Sequence, residues 1–203
     1  MSKKLVLVLC MGLALSAGAA LGQTVTPVAA TASSTFFSYT LPALIDDSGL
    51  SGGLHDEEYT NMWMSDYGDV QPVLTFDLGA VYNLSAARIW QYNATCCGLV
   101  RGVQSFSISV SNDNVSFTPA GSGTLTQSPG GTIPAQVVPC FGAGRYVRFT
   151  VVSNHGDGAY TGLSEVKFDT AGIQAVPALS PSALAALALL LALAGAVAVR
   201  RLA

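Results

Sequence analysis

The sequence predicts an all-β fold, a sandwich or a barrel, for the central part of this 203-residue chain. Apolar and polar residues alternate in "VQSFSISVS", where Phe106, Ile108 and Val110 share one face and serines the other. "VLTFDLG", "AARIWQYN" and "RYVRFTVV" also read as strands, and Gly, Asn and Pro bound these runs. No long amphipathic helix pattern occurs before the C-terminal tail. Many short strands at close intervals favour a sandwich or barrel. The core-facing residues predicted for the last of these runs are Val147, Phe149 and Val151.

The first 22 residues have the organisation of a secretory signal peptide. Lys3 and Lys4 precede an apolar run that ends near Ala20, and small residues follow. This order predicts export, with cleavage after Gly22. The alternative is a lipoprotein processed at Cys10, which is disfavoured because that cysteine lies inside the apolar run.

The C-terminus predicts a linker with a sorting motif over residues 172–181 and a transmembrane helix with a basic tail over 182–203. The apolar run 183–199 can just cross a thin bilayer as a helix, with Arg200 and Arg201 on the cytoplasmic side. One interpretation is a simple tail anchor. The other is a sorting signal, because "VPALSP", the apolar run and the Arg pair resemble the bacterial PEP-CTERM and IPTL-CTERM tails. That resemblance implies processing by an exosortase-type enzyme, although Ala178 stands where Glu or Thr is typical.

Residues 23–171 are predicted to form one acidic domain, which is large enough for a single core. Five basic residues stand against all twelve acids of the chain, a net charge of −7. Nucleic-acid phosphates would be repelled by such a domain, so we expect no nucleic-acid partner. Seven of the acids lie between Asp46 and Asp69, with no Lys or Arg among them. This cluster is either a solvated loop or a site for a hard cation.

The cysteines are consistent with export. Cys96, Cys97 and Cys140 remain after removal of the signal peptide, and an oxidising compartment favours a disulfide. We expect Cys140 to pair with Cys96 or Cys97, and a bond between the adjacent Cys96 and Cys97 is the alternative. The spacing does not suggest a zinc site.

Several segments, taken in order, resemble one family. They are "LIDDSGLSG" before Trp63, then "LTFDLGAVYNLSAARIWQYN", "RGVQSFSISVSNDNVSFT", "RYVRFTVVSN" and "GLSEVKF". Over residues 35–169 they resemble the discoidin family, with the C-type domains of coagulation factors and the galactose-binding-like carbohydrate-binding modules. The resemblance implies an eight-stranded jelly-roll β-sandwich that binds glycans, phospholipids or proteins with loops at one end and is not itself a catalyst.

The resemblance also implies a structural calcium ion between the early acidic loop and the last strand. Carried onto this sequence, its ligands are Asp46, Ser48, Thr60 and Glu165. Calcium takes ~6–8 oxygen ligands from carboxylates and carbonyls. An acid on an ordinary strand, as at Glu165, needs a partner if it is partly buried. The alternative is a surface Glu paired with Arg or Lys.

A sugar site needs an aromatic face for the C–H side of the ring and charged or amide groups for the hydroxyls. Loops are where such residues concentrate. For Trp63 and Trp90 we favour core packing, and for Arg101 a structural salt bridge is the alternative. The candidate ligand-binding residues are His55, Tyr92, Asn93, Arg101, Asn154, His155 and Tyr160.

We therefore expect a non-catalytic binding module, exported and held at the cell surface or outer envelope, for carbohydrate such as extracellular polysaccharide. The alternative is a structural surface or matrix protein that mediates protein–protein adhesion. His155 and Asp157 could suggest a general base and its orienting acid. Their separation of two residues on a Gly-flanked loop is a poor geometry for a fixed pair, and no G-x-S-x-G motif is present.

Overall fold

The computed structural model describes residues 22–37 and 39–172. Gly22–Ala171 forms one compact unit. The predicted signal peptide, sorting motif and C-terminal helix lie outside the described residues, apart from single residues at their edges. Within the described part of the chain, no helix is both long and apolar enough to cross a membrane.

The regular secondary structure of the described residues consists of strands and three short 3-10 helices. The helices are Leu41–Leu44, Tyr59–Asn61 and Leu99–Arg101. The strands are β1 (Thr24–Val25), β2 (Ala29–Ala32), β3 (Leu50–Ser51), β4 (Leu54–His55), β5 (Trp63–Met64), β6 (Val73–Gln91), β7 (Val103–Ser111), β8 (Thr118–Thr124), β9 (Ile133–Pro134), β10 (Gln136–Asn154) and β11 (Gly162–Thr170).

Eight of these strands form the main sheet, and all of its strand pairs are antiparallel. The order is β1-β11-β6-β10-β7-β8, with β2 added to β6 and β5 added to β11. A second sheet of three short strands has the order β3-β4-β9. The predicted all-β fold is confirmed.

Strands β6 and β10 are each 19 residues long, and the two halves of each have different neighbours. Residues 73–77 of β6 pair with β2 and with the second half of β10, whereas residues 84–91 pair with β11 and with the first half of β10. Gly79 lies between the two halves of β6 with φ of 78°, which a side chain would disfavour. In β10 the register shifts on both sides of Gly142 and Gly144, as expected at a bend. The sheet can therefore fold over itself as a sandwich.

The core lies between the two halves of this folded sheet. The rings of Phe106 and Phe149 stack with centroids 4.3 Å apart, and Phe76 meets Phe168 edge-on at 5.7 Å. Trp63 and Trp90 are both buried, so their predicted core packing is confirmed. The predicted inward alternation is also confirmed, since these residues are all buried: Phe106, Ile108, Val110, Val147, Phe149 and Val151.

The cysteine pairing differs from the expected one. Cys96 is bonded to Cys97, while Cys140 is free and buried. Cys140 points into the core from β10, where burial raises the pKa of its thiol to about 11. Cys96 and Cys97 lie in the loop that follows β6 and are at least partly exposed. The expected pairing through Cys140 is therefore wrong, and the alternative bond between adjacent cysteines is the one observed.

Replacing Phe149 by Ala should destabilise the domain by about 3–5 kcal/mol, because it removes a buried ring and leaves a cavity beside Phe106. Urea unfolding followed by tryptophan fluorescence measures the loss. Phe141→Ala is the matched control, since that ring is 67% exposed, and it should change the free energy of unfolding by less than about 0.5 kcal/mol. Equal losses for the two variants would contradict the assignment of the core.

Candidate functional site

Glu165 is a carboxylate enclosed within the described domain. It lies on β11 and has no exposed surface. Its Oε2 accepts one long hydrogen bond from the backbone amide of Asp47, at 3.3 Å, and its Oε1 is buried without a partner. Burial and the neighbouring carboxylates of Asp47 and Asp46 raise the pKa of Glu165 to about 8, although the ammonium of Lys167 opposes this rise. Charge on Glu165 is therefore poorly compensated.

A second buried oxygen without a partner belongs to Ser48, in the acidic loop next to Asp47. The Oγ of Ser48 is buried without a hydrogen-bond partner, while its backbone amide donates to the Asp46 carboxylate at 2.9 Å. Lys167 forms an ion pair with Asp47, so this ammonium is already engaged. The segment 46–48 therefore contacts Glu165 through the Asp47 amide and carries one buried oxygen, that of Ser48, without a hydrogen-bond partner.

Glu165 is buried and so is not half of a simple surface ion pair, and its surroundings fit either a proton or a hard cation. Among the residues that the structure describes, no three His, Cys, Asp or Glu side chains converge as a metal-binding group. An ion here would accordingly depend on hydroxyl and backbone carbonyl oxygens as well as on carboxylates, which is the usual composition of a calcium site. Buried oxygens of Glu165 and Ser48 without donors are the groups that such an ion would satisfy.

Thr60, the remaining predicted metal ligand, has a different role in the structure. It lies in the 3-10 helix Tyr59–Asn61, and its backbone amide and hydroxyl both donate to the Glu58 carboxylate, at 3.3 and 3.2 Å. Glu58 is the residue that caps this helix. The hydroxyl of Thr60 is thus engaged in local capping.

An aromatic cleft of about 260 Å³ lies near the predicted ligand-binding loops. Two of the predicted residues, Arg101 and Tyr160, meet in its wall. Its other lining residues are Phe36, Tyr39, Tyr59, Met64 and Cys97.

Arg101 is held in this wall by three contacts. It ends the 3-10 helix Leu99–Arg101, its Nε donates to Asp157 Oδ2 at 3.2 Å, and its guanidinium lies 4.8 Å from the centroid of the Tyr160 ring. Nη1 also contacts the sulfur of Met64 at 3.6 Å. The salt bridge that was the alternative interpretation of Arg101 is therefore present, and it orients the guanidinium beside an aromatic ring.

The loop from Asn154 to Tyr160 is shaped by its own side chains. Asn154 Nδ2 donates to the carbonyls of Asp157 and Tyr160, at 2.7 and 2.9 Å. Asp157 Oδ1 accepts from the amides of Ala159 and Tyr160, both at 2.8 Å. Asn and Asp commonly fold loops in this way. Burial alone would raise the pKa of Asp157, but these amides and Arg101 lower it overall.

The hydrogen bonds of this loop show whether Asp157 is bonded to His155, as a general base and its orienting acid would be. The carboxylate of Asp157 serves Arg101 and the loop amides, and His155 has its Nε2 buried without a partner. The backbone amide of His155 donates to the Gly102 carbonyl at 3.0 Å. The described bonds therefore give Asp157 a structural partner other than His155.

Three predicted ligand-binding residues have essentially no exposed surface: His55, Tyr92 and Asn93. His55 Nδ1 is 3.0 Å from the Asp56 carbonyl, and the hydroxyls of Tyr92 and Tyr39 are 3.0 Å apart. Asn93 Nδ2 donates to the same Asp56 carbonyl at 2.7 Å. These side chains hold the acidic loop and the floor of the cleft, so the prediction that they contact a ligand directly is corrected.

Sequence reasoning missed most of the cleft. Phe36 and Tyr39 come from "FFSY", and Tyr59 from the acidic loop, and neither segment has a sequence motif that predicts an aromatic surface. An aromatic-rich segment outside any predicted strand was the available indication, because aromatic side chains in a loop have no sheet face to fill.

No curated protein matches the chain in sequence. Solved structures do match its fold. A truncated AlyQ with CBM32 and alginate lyase domains has 24% identity and a TM-score of 0.53, and the match covers 75% of this chain and 34% of that one. This chain thus corresponds to about a third of that protein.

Two single-module structures match over nearly their whole length. The CBM32 of AlyQ in complex with 4,5-unsaturated mannuronic acid has 23% identity and a TM-score of 0.51, with coverage of 72% and 97%. The family 32 CBM from C. perfringens NanJ in complex with galactose has 15% identity and a TM-score of 0.51, with coverage of 72% and 99%. At these identities the similarity supports the fold alone.

A family model identifies the chain more directly. The model of the F5/8 type C domain matches residues 29–166, which include all strands from β2 to β10 and most of β11. This range agrees with the resemblance found over residues 35–169. The chain therefore belongs to the F5/8 type C domain family.

Proposed function

We propose that this protein is a non-catalytic carbohydrate-binding module, exported and held at the cell surface, that binds extracellular polysaccharide in its aromatic cleft. The observation that carries the proposal is Arg101 fixed by Asp157 beside the Tyr160 ring. The solved modules with sugars bound, such as that of NanJ with galactose, support the ligand class. The basic and apolar patterns of the two chain ends support export and membrane attachment.

In this proposal each part of the cleft has a defined task. The rings of Phe36 and Tyr160 offer apolar surface to the C–H face of a sugar. Arg101 uses Nε for Asp157 and Nη1 for the sulfur of Met64, so only the N–H groups left over would serve sugar hydroxyls as charge-assisted donors. Because Asp157 already orients the guanidinium, less side-chain entropy is lost when the sugar binds.

A calcium ion is the second part of the proposal. Glu165, Ser48 and Asp46 would hold it, and its charge would compensate the enclosed carboxylate. The ion would tie the segment 46–48 to β11. Its task is structural, because it would stabilise the acidic loop that also carries Tyr59.

Arg101→Ala should weaken glycan binding by about tenfold or more, because it removes the charged donor from the cleft. Isothermal titration calorimetry with the best ligand from a glycan array that includes the producer's own polysaccharide measures this change. Arg145→Ala is the matched control: Arg145 is also ion-paired, with Asp77 at 2.8 Å, but does not line the cleft. Absence of binding to every glycan, with capture of surface proteins instead, would favour the adhesion function.

Calcium at about 100 times its Kd should raise the Tm of the wild-type protein by about 5–10 °C relative to the protein in EDTA. The reason is that only the folded loop presents the ligands. Differential scanning calorimetry measures the shift, and Glu165→Gln should abolish it. An unchanged Tm, together with no bound metal by elemental analysis, would contradict the calcium site.

In EDTA, the free energy of unfolding should fall as the pH rises from about 5 to 8. The folded protein keeps a proton on Glu165 up to a pKa of about 8, whereas the unfolded chain loses it near the ordinary pKa of 4.5. The folded state therefore binds more protons in this window, so stability decreases with pH. Urea titrations at several pH values should show that the free energy of unfolding decreases less with pH for Glu165→Gln than for the wild type. The same dependence on pH in both proteins would show that Glu165 is not the group responsible.

A further inference from the structure

Five aromatic rings form a continuous row that extends beyond the cleft. The row runs Tyr67–Tyr160–Phe36–Tyr39–Tyr59, and the successive ring centroids are 5.8, 5.3, 6.0 and 5.8 Å apart. Three separate segments of the chain supply these rings, so their alignment is a product of the fold. We call this set the aromatic row.

The two ends of the aromatic row are open to solvent. Tyr67 is 76% exposed and Tyr59 is 39% exposed, whereas Tyr39 in between is buried and bonded to Tyr92. Tyr67 does not line the cleft, although its ring contacts that of Tyr160. Exposed Tyr side chains combine an apolar body with a polar tip, which suits a surface that is wet when empty. The row thus offers binding surface outside the cleft.

The cleft itself is small for a complete ligand site. Its volume of about 260 Å³ is below the range of about 300–1,000 Å³ that small-molecule pockets usually have. A ligand longer than the cleft would have to lie along the row on either side.

Neighbouring rings in the row are strongly inclined to one another. Their interplanar angles are 75°, 81°, 61° and 59° from Tyr67 to Tyr59. A flat crystalline polysaccharide surface needs coplanar rings to stack on, and this row does not provide them. A single soluble chain, which can turn from one sugar to the next, can follow such a surface.

The charges around the row disfavour an anionic chain. Arg101 is the one Lys or Arg among the described residues that line the cleft, and it is already paired with Asp157. The segment between Tyr59 and Tyr67 is flanked by Glu57, Glu58 and Asp69 and contains Asp66. Carboxylate or sulfate groups on a polysaccharide would be repelled by these acids.

We propose that the aromatic row binds a single, extended and uncharged glycan chain over several sugar residues, with one sugar in the cleft and its neighbours on the outer rings. This inference rests on the proposed carbohydrate-binding function and adds the class of glycan. It distinguishes the module from one that recognises only a terminal sugar.

Calorimetry on the full-length chain with neutral galacto-, manno- and gluco-oligosaccharides of one to six residues tests the proposal. For the series that binds, affinity should rise by about tenfold or more from the monosaccharide to the tetrasaccharide, because added sugars contact further rings. Oligouronates of matched length should bind more weakly than the neutral chains, and lower salt should increase that difference.

Tyr67→Ala should weaken tetrasaccharide binding by about tenfold and monosaccharide binding much less, since this ring lies outside the cleft. Phe141→Ala is the control, because Phe141 is 67% exposed and lines a different cleft, beside Asn112 and Asp113. It should leave the dependence on chain length unchanged.

The other results of these titrations would contradict the proposal in different ways. Equal affinities for the monosaccharide and the tetrasaccharide would overturn the extended chain and leave carbohydrate binding in place. Tighter binding of the oligouronates than of the neutral chains would overturn the inference that the ligand is uncharged. Absence of binding to any oligosaccharide in these series, and to the wider glycan array, would overturn both this inference and the proposed function.

Discussion

The aromatic cleft depends on a junction at which the ends of β6, β7, β10 and β11 meet. Gln91 ends β6 with its side chain buried, and its Nε2 donates to the Val103 carbonyl at the start of β7, at 2.6 Å. Gly102 bridges to Gly162 at the start of β11, and the His155 amide after β10 donates to the Gly102 carbonyl. A side chain at Gly102 would clash with Gln91, whose Oε1 would be 2.6 Å from the added Cβ. The loops that carry Arg101 and Tyr160 are adjacent because these strand ends are.

The carboxylates of Asp157 and Glu165 differ in how their charge is compensated. Asp157 receives two backbone amides and a guanidinium, so it is charged and serves as a fixed support. Glu165 is fully buried, receives one long amide bond and lies near two further acids, so its charged form is disfavoured. A folded domain rarely leaves a carboxylate in that state without a cation or a proton. This contrast is the reason for proposing that Asp157 orients the ligand-binding Arg101 and that Glu165 binds an ion.

The strands were predictable, whereas the orientation of loop residues was not. Phe106, Ile108 and Val110 alternate with serines, and a strand has only two faces, so the pattern alone decides which side is buried. Tyr92 and Asn93 follow a strand and look like binding residues in a loop, yet both point inward. A loop has no such periodicity, and its polar side chains often bond to backbone groups distant in sequence, as Asn93 does with Asp56.

By itself the sequence determined the all-β fold, the family and the acidic character of the domain, because each is carried by local patterns or by composition. It also identified Arg101 and Tyr160 as candidates, since their residue types suit a sugar site. Only the tertiary structure decided that Cys96 bonds to Cys97, that Glu165 is enclosed and that five rings from three segments form one row. The enclosure of Glu165 and the row of rings depend on which distant segments touch, which is set by strand pairing and core packing. The cysteine pairing depends on the same packing indirectly, because it buries Cys140 in the core.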